Sequence, residues 1–192
     1  MRAPARPTLL TPDANRGRGR EDGTDLGVWL DFTMQPLQLY GLAFLLGSYS
    51  VATLSDLKRM SAQSEFVSIW AIITIGLFVI DVYLMGTDKL IWQIWAAKWL
   101  IIVVFSVLSH EKVGPYFHLA TGDVVAIMAT AALLTPVLVV VYYILLKVID
   151  AVMAPALMQF GQKNVYPFMP VIFMTTIVVI IGNFLIPMVM VR

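Results

Sequence analysis

Residues 66–85 read FVSIWAIITIGLFVIDVYLM, a run with one charged side chain, Asp81. About 20 apolar residues at ~1.5 Å rise each match the ~30 Å hydrocarbon core of a bilayer. In lipid such a run satisfies its backbone polar groups by being a helix. Working outward from it, the same signal recurs. Upstream, about Leu37 to Leu54 is apolar and carries Gly41, Gly47, Ser48 and Ser50, small residues that let helices approach closely. That run ends at Asp56, Lys58 and Arg59. Downstream, Gly86-Thr87-Asp88 reads as a tight turn before a span from about Leu90 to Leu108. A fourth span is expected from Gly122 to about Leu146, kinked at Pro136 because proline removes a helical hydrogen bond. A weaker fifth span covers about Val148 to Phe160, broken by Pro155, and the sixth runs from Pro170 to Val191.

The expected fold class is therefore an all-α membrane protein with six transmembrane helices in residues 37–192. Residues 1–36 differ. Arg2, Arg6, Arg16, Arg18 and Arg20 mix with Pro, Gly, Asp and Thr without periodicity, which reads as a disordered polar and basic tail. The tail lacks the apolar core of a secretory signal. Met34 is a second possible start, since membrane-like sequence begins just after it.

Composition agrees. The chain has 192 residues, 59% of them hydrophobic, and a mean hydropathy of +0.83, above the level of ordinary soluble domains. A formal charge of +1 with no basic stripe gives no reason to expect nucleic acid as a partner; the lipid bilayer is the expected one. Cysteine is absent, which removes disulfides and thiolate chemistry. His110 and His118 are the two histidines, and neither has a ligand partner at metal-motif spacing. No zinc-peptidase, serine-hydrolase or phosphate-loop motif is present. No metal or organic cofactor is expected.

Six spans place the loops at 55–65, 109–122 and 161–169 on one side. These carry Lys58, Arg59, Lys112 and Lys163, against Lys89, Lys147 and Arg192 on the other. The balance favours a cytoplasmic position for those loops in the cell membrane. The same parity puts Asp56, Asp123 and Pro167 on one face. Peptide hydrolysis by two carboxyl groups needs one ionised to take a proton from water and the other protonated to donate to the carbonyl. Like charge at short range imposes that asymmetry. Gly122, lacking a Cβ, allows close backbone approach beside Asp123. The plainer reading is that Asp123 is an N-cap and Asp56 a solvated boundary charge.

Three segments occur in order: Asp56-Leu57-Lys58 after the first span, Ala120-Thr121-Gly122-Asp123 opening the fourth, and Tyr166-Pro167-Phe168-Met169-Pro170 opening the sixth. The set resembles the prepilin and preflagellin leader peptidases, the GxGD membrane aspartic peptidases, over residues 37–192. The resemblance implies catalytic roles for Asp56 and Asp123, and substrate-binding roles for Gly122, Pro167, Phe168 and Pro170. It implies a pilin-like or flagellin-like precursor as partner, cut at the boundary of a short basic leader on the cytoplasmic face. Glu21, Glu65 and Glu111 offer negative charge to such a leader, or are solvated loop charges. The first glycine of GxGD is Ala120, the frequent lysine after the second aspartate is Val125, and the cysteine-rich insertion linked with N-methylation is missing. These departures bear on the substrate more than on the chemistry, and the compact form resembles archaeal preflagellin-type enzymes or orphan relatives. A presenilin-like protease cutting within membrane helices, a small transporter or assembly subunit, and an inactive relative are the alternatives.

Asp81 and Lys98, in the second and third spans, are expected to form a structural ion pair. Trp92, Trp95 and Trp99 share one helical face, with Trp92 suited to the interface. His110 and His118 flank the Asp123 loop. Asn183, Thr175 and Thr176 are expected to bond across helices. The methionines read as adaptable packing.

Overall fold

A computed structural model of the chain describes residues 34–59, 64–84, 89–110, 119–159 and 166–190. Six helices account for nearly all of them: α1 Pro36–Arg59, α2 Ser64–Leu84, α3 Lys89–Ser109, α4 Thr121–Leu133, α5 Pro136–Leu157 and α6 Met169–Met190. Among the described residues there is no named strand, and an isolated parallel bridge joins His110 to Leu119. By length and apolar composition, α1, α2, α3 and α5 are each able to cross a membrane. The tail before residue 34, the Gly86 turn and His118 lie outside the described residues.

Contacts between side chains set the helix directions. α1 runs antiparallel to α4 and to α6: Gly41 abuts Leu133, Tyr49 reaches Ala126 and Thr130, and Asp56 meets Met169. At the far end, the Met34 amide donates to Asn183 Oδ1 at 3.0 Å. α3 runs antiparallel to α4, since Lys98 reaches Ala132 and the Ser109 carbonyl accepts from Leu119. The C-terminal part of α5 reaches the start of the α6 segment through Asp150 and Tyr166. One end of the bundle therefore gathers the last turn of α1, the first turn of α4, the Asp150 region of α5 and the entry to α6.

α4 is the centre of the bundle. It packs on α1, α2, α3 and α6 and buries Val124, Ala126, Ile127, Ala129, Thr130, Ala131, Ala132 and Leu133. Four alanines in that stretch admit neighbours on several sides at close range. Polar contacts reinforce the packing: the Tyr49 hydroxyl donates to the Ala126 carbonyl at 2.7 Å and lies 2.9 Å from Thr130 Oγ1. Large apolar side chains at the periphery face outward, including Leu37, Tyr40, Ile72, Tyr83, Val152 and Phe184, as lipid-facing positions do.

The expected fourth and fifth spans divide elsewhere than the sequence suggests. A span to Leu146 with a kink at Pro136 is replaced by a full break at Leu134 and Thr135, both extended, with ψ 157° and 159°. Proline forces the residue before it out of helical geometry, and here Pro136 starts the new helix at its first position, where a missing N–H costs nothing. Pro155, expected to break a span, lies exposed inside α5, which runs through it to Leu157. With the reversal at 134–135, the order of ends is kept. Lys147 moves: it lies 3.8 Å from Asp150, toward the Asp56 end rather than the opposite one. The Thr175 and Thr176 hydroxyls bond the carbonyls of Val171 and Ile172 within α6, and Thr176 also faces the Tyr142 hydroxyl of α5.

Candidate active site

Asp56 sits in the last turn of α1 and is 6% exposed. Its Oδ2 accepts the Met169 backbone N–H at 3.2 Å, and the Phe168 amide is also within bonding reach. This answers a requirement of α6. A helix N-terminus leaves its first N–H groups without partners. Here the Val171 amide bonds back to the Phe168 carbonyl at 2.9 Å, Pro170 has no N–H, and Phe168 and Met169 turn to Asp56. The carboxylate of one helix thus terminates another, and it meets the positive end of that helix dipole. Asp56 is not the solvated boundary charge of the plainer reading.

Asp123 lies in the first turn of α4. It is not the cap of that helix: Ala120 occupies the N-cap position and no side chain bonds there. The Asp123 carboxyl has no hydrogen-bond partner among the described residues, and the charge on Asp56 acts on it. The two carboxyl groups therefore share one neighbourhood, in which one is held by amides and the other is left open. Gly122 and Asp123 are half-buried. Pro167, Phe168 and Pro170 are buried, so they shape the wall around Asp56 and present little free side-chain surface. Beside them His110 Nε2 lies 3.3 Å from Thr121 Oγ1. Glu65, at the start of α2, is exposed; Glu21 and Glu111 lie outside the described residues.

The sequence reading passed over Asp150. It is 7% exposed in α5 and accepts a hydrogen bond from the Tyr166 hydroxyl. The signal was available, since a lone carboxylate inside an apolar helix is costly unless partnered. Its partner, however, stands 16 residues away, at the entry to α6.

A second charged cluster lies deeper. Lys98 Nζ is 3.2 Å from Asp81 Oδ2 and donates to the Ala132 carbonyl at 2.6 Å. Trp99 Nε1 donates to the same Asp81 oxygen at 2.9 Å. The ammonium also lies 4.5 Å from the centre of the Trp95 ring, a favourable cation–π placement. The expected ion pair is present, and Lys98 also closes the C-terminus of α4, where the break leaves carbonyls unpaired. Among the described residues no three His, Asp or Glu side chains are grouped to hold a metal ion. Compared with known proteins, the chain matches no family model, no curated protein and no solved structure.

Proposed function

We propose that this chain is a six-helix membrane aspartic endopeptidase in which Asp56 and Asp123 activate water. The observation that carries the reading is that both lie at one end of the bundle, with Asp56 held by the α6 amides and Asp123 without a donor among the described residues. Amide donors favour the ionised form of a carboxyl group, which suits Asp56 to the role of base. Asp123, beside a negative charge and without donors, suits the role of acid. Asp56 takes a proton from water as its oxygen attacks the scissile carbonyl, and Asp123 gives its proton to the carbonyl oxygen. The intermediate collapses by breaking its C–N bond as Asp56 passes the proton it took to the leaving amine and Asp123 takes back its proton from the oxygen that becomes the carbonyl again.

The resemblance of Asp56-Leu57-Lys58, Gly122-Asp123 and Pro167-Phe168-Met169-Pro170 to leader peptidases supports a pilin-like or flagellin-like precursor as substrate. Lys58 and Lys147, both placed toward this end, support a cytoplasmic site in the cell membrane by the bias of basic residues. In proteoliposomes with a precursor bearing a basic leader and an apolar helix, the wild-type chain cleaves once at the leader boundary. Asp56→Asn and Asp123→Asn each lower the rate by about a thousandfold. Cleavage retained by either variant removes the assignment, and a cut inside the apolar helix moves it to the intramembrane class.

The Asp56–amide contacts favour one second reading, in which Asp56 serves only to terminate α6. Asp56→Asn then loosens the α6 entry, and Asp123→Asn leaves every property of the protein unchanged.

A further inference from the structure

The segment Tyr166-Pro167-Phe168 is not helical, yet it must deliver two amides to Asp56. On its inner side the Phe168 carbonyl accepts from the Val171 and Ile172 amides and so joins α6. Its outer end is tied to α5. The Tyr166 hydroxyl donates to Asp150 Oδ1, and Lys147 Nζ lies 3.8 Å from the other oxygen. Asp150 is buried while Lys147 is half-exposed, so the tyrosine contact is the more sheltered of the two. The Tyr166 and Phe168 rings lie 6.4 Å apart, Phe168 is buried, and Pro167 stiffens the link between them. A displacement of Tyr166 is therefore passed along two restricted residues to the amides that hold Asp56.

We propose that Tyr166 and Asp150 are a positioning pair that sets the Asp56 carboxylate through the Phe168 and Met169 amides, an inference that rests on the peptidase reading for its effect on rate. The pair touches no substrate. It acts by holding the donors still, and small misplacements of a reacting group carry large rate costs.

Two readouts test it, one independent of catalysis. The first is backbone amide exchange at Phe168 and Met169, followed by mass spectrometry on the full chain in lipid nanodiscs. The second is kcat and KM for the precursor described above. Tyr166→Phe removes only the hydroxyl. It should speed exchange at those amides about tenfold and lower kcat about tenfold, with KM within about twofold. Asp150→Ala should do the same. Asp150→Asn, which still accepts from the tyrosine, should restore most of both. The double variant Tyr166→Phe with Asp150→Ala should be no worse than either single change, because both delete one contact. Unchanged exchange in Tyr166→Phe overturns the pair. Faster exchange with unchanged kcat overturns its role in the reaction. If the wild-type chain cleaves no precursor, the peptidase reading fails, while the exchange arm still decides whether Asp150 and Tyr166 hold the Asp56 donors.

Discussion

Asp81 and Asp123 are both carboxylates in apolar surroundings, and the protein treats them in opposite ways. Asp81 receives the Lys98 ammonium and the Trp99 indole N–H on one oxygen. Asp123 receives no hydrogen bond from any described residue and has a like charge for a neighbour. The first arrangement joins α2 to α3 and, through the Lys98 contact with the Ala132 carbonyl, to α4. The second sets a carboxyl group beside another carboxyl group with no donor among the described residues, an arrangement that favours stability less. On the proposed function, the difference is that between a charge that holds helices and one that reacts.

Substitution of the two aspartates breaks this comparison if it is wrong. The largest effect is expected where stability changes least: Asp123→Asn lowers turnover about a thousandfold while the unfolding free energy stays within about 1 kcal/mol of wild type, because an amide of the same size replaces a carboxyl group that the mechanism holds neutral. Thermal unfolding and cleavage measured on one preparation check both halves. Next, Lys98→Met leaves Asp81 buried and unpaired and should cost about 3–5 kcal/mol. Lys98→Met combined with Asp81→Leu should recover much of that loss, since deleting both charges spares the desolvation penalty. A double variant no better than the single would show that the Ala132 carbonyl, not the ion pair, is what Lys98 serves. The smallest effect concerns α1. A Cβ at Gly41 would stand 2.9 Å from Leu133 Cδ2, whereas Gly47 faces open space. Gly41→Ala should therefore be less stable than Gly47→Ala by about 1–2 kcal/mol, read from denaturation in matched detergent.

The contrast between Asp81 and Asp123 was partly legible before any coordinates. Lengths of apolar runs gave six helices, and counting their ends put Asp56, Asp123 and Pro167 together. Asp81 and Lys98 announced themselves as opposite charges in adjacent runs. The division between α4 and α5 was hidden for a physical reason. Leu133, Leu134 and Thr135 are as apolar or small as the helix around them, and a proline that starts a helix looks in sequence like one that bends it. Pro155 misled in the reverse sense, because α5 carries it at an exposed position and continues. The use of Asp56 at the α6 entry was out of reach too: it depends on a contact across 113 residues, and no local pattern announces which helix a carboxylate will terminate.

The short length of α4 has a consequence for how the chain enters a membrane. Thirteen residues rise only about 20 Å, so a helix started at one surface stops inside the hydrocarbon with bare carbonyls at its tip. A translocating ribosome releases Lys98 well before Ala132, which is 34 positions later. The stopper for that tip is thus synthesised before the tip it serves. Order of synthesis, set by the gene, supplies the partner in time, and a circular permutant that made α3 last would be expected to strand α4 outside the membrane.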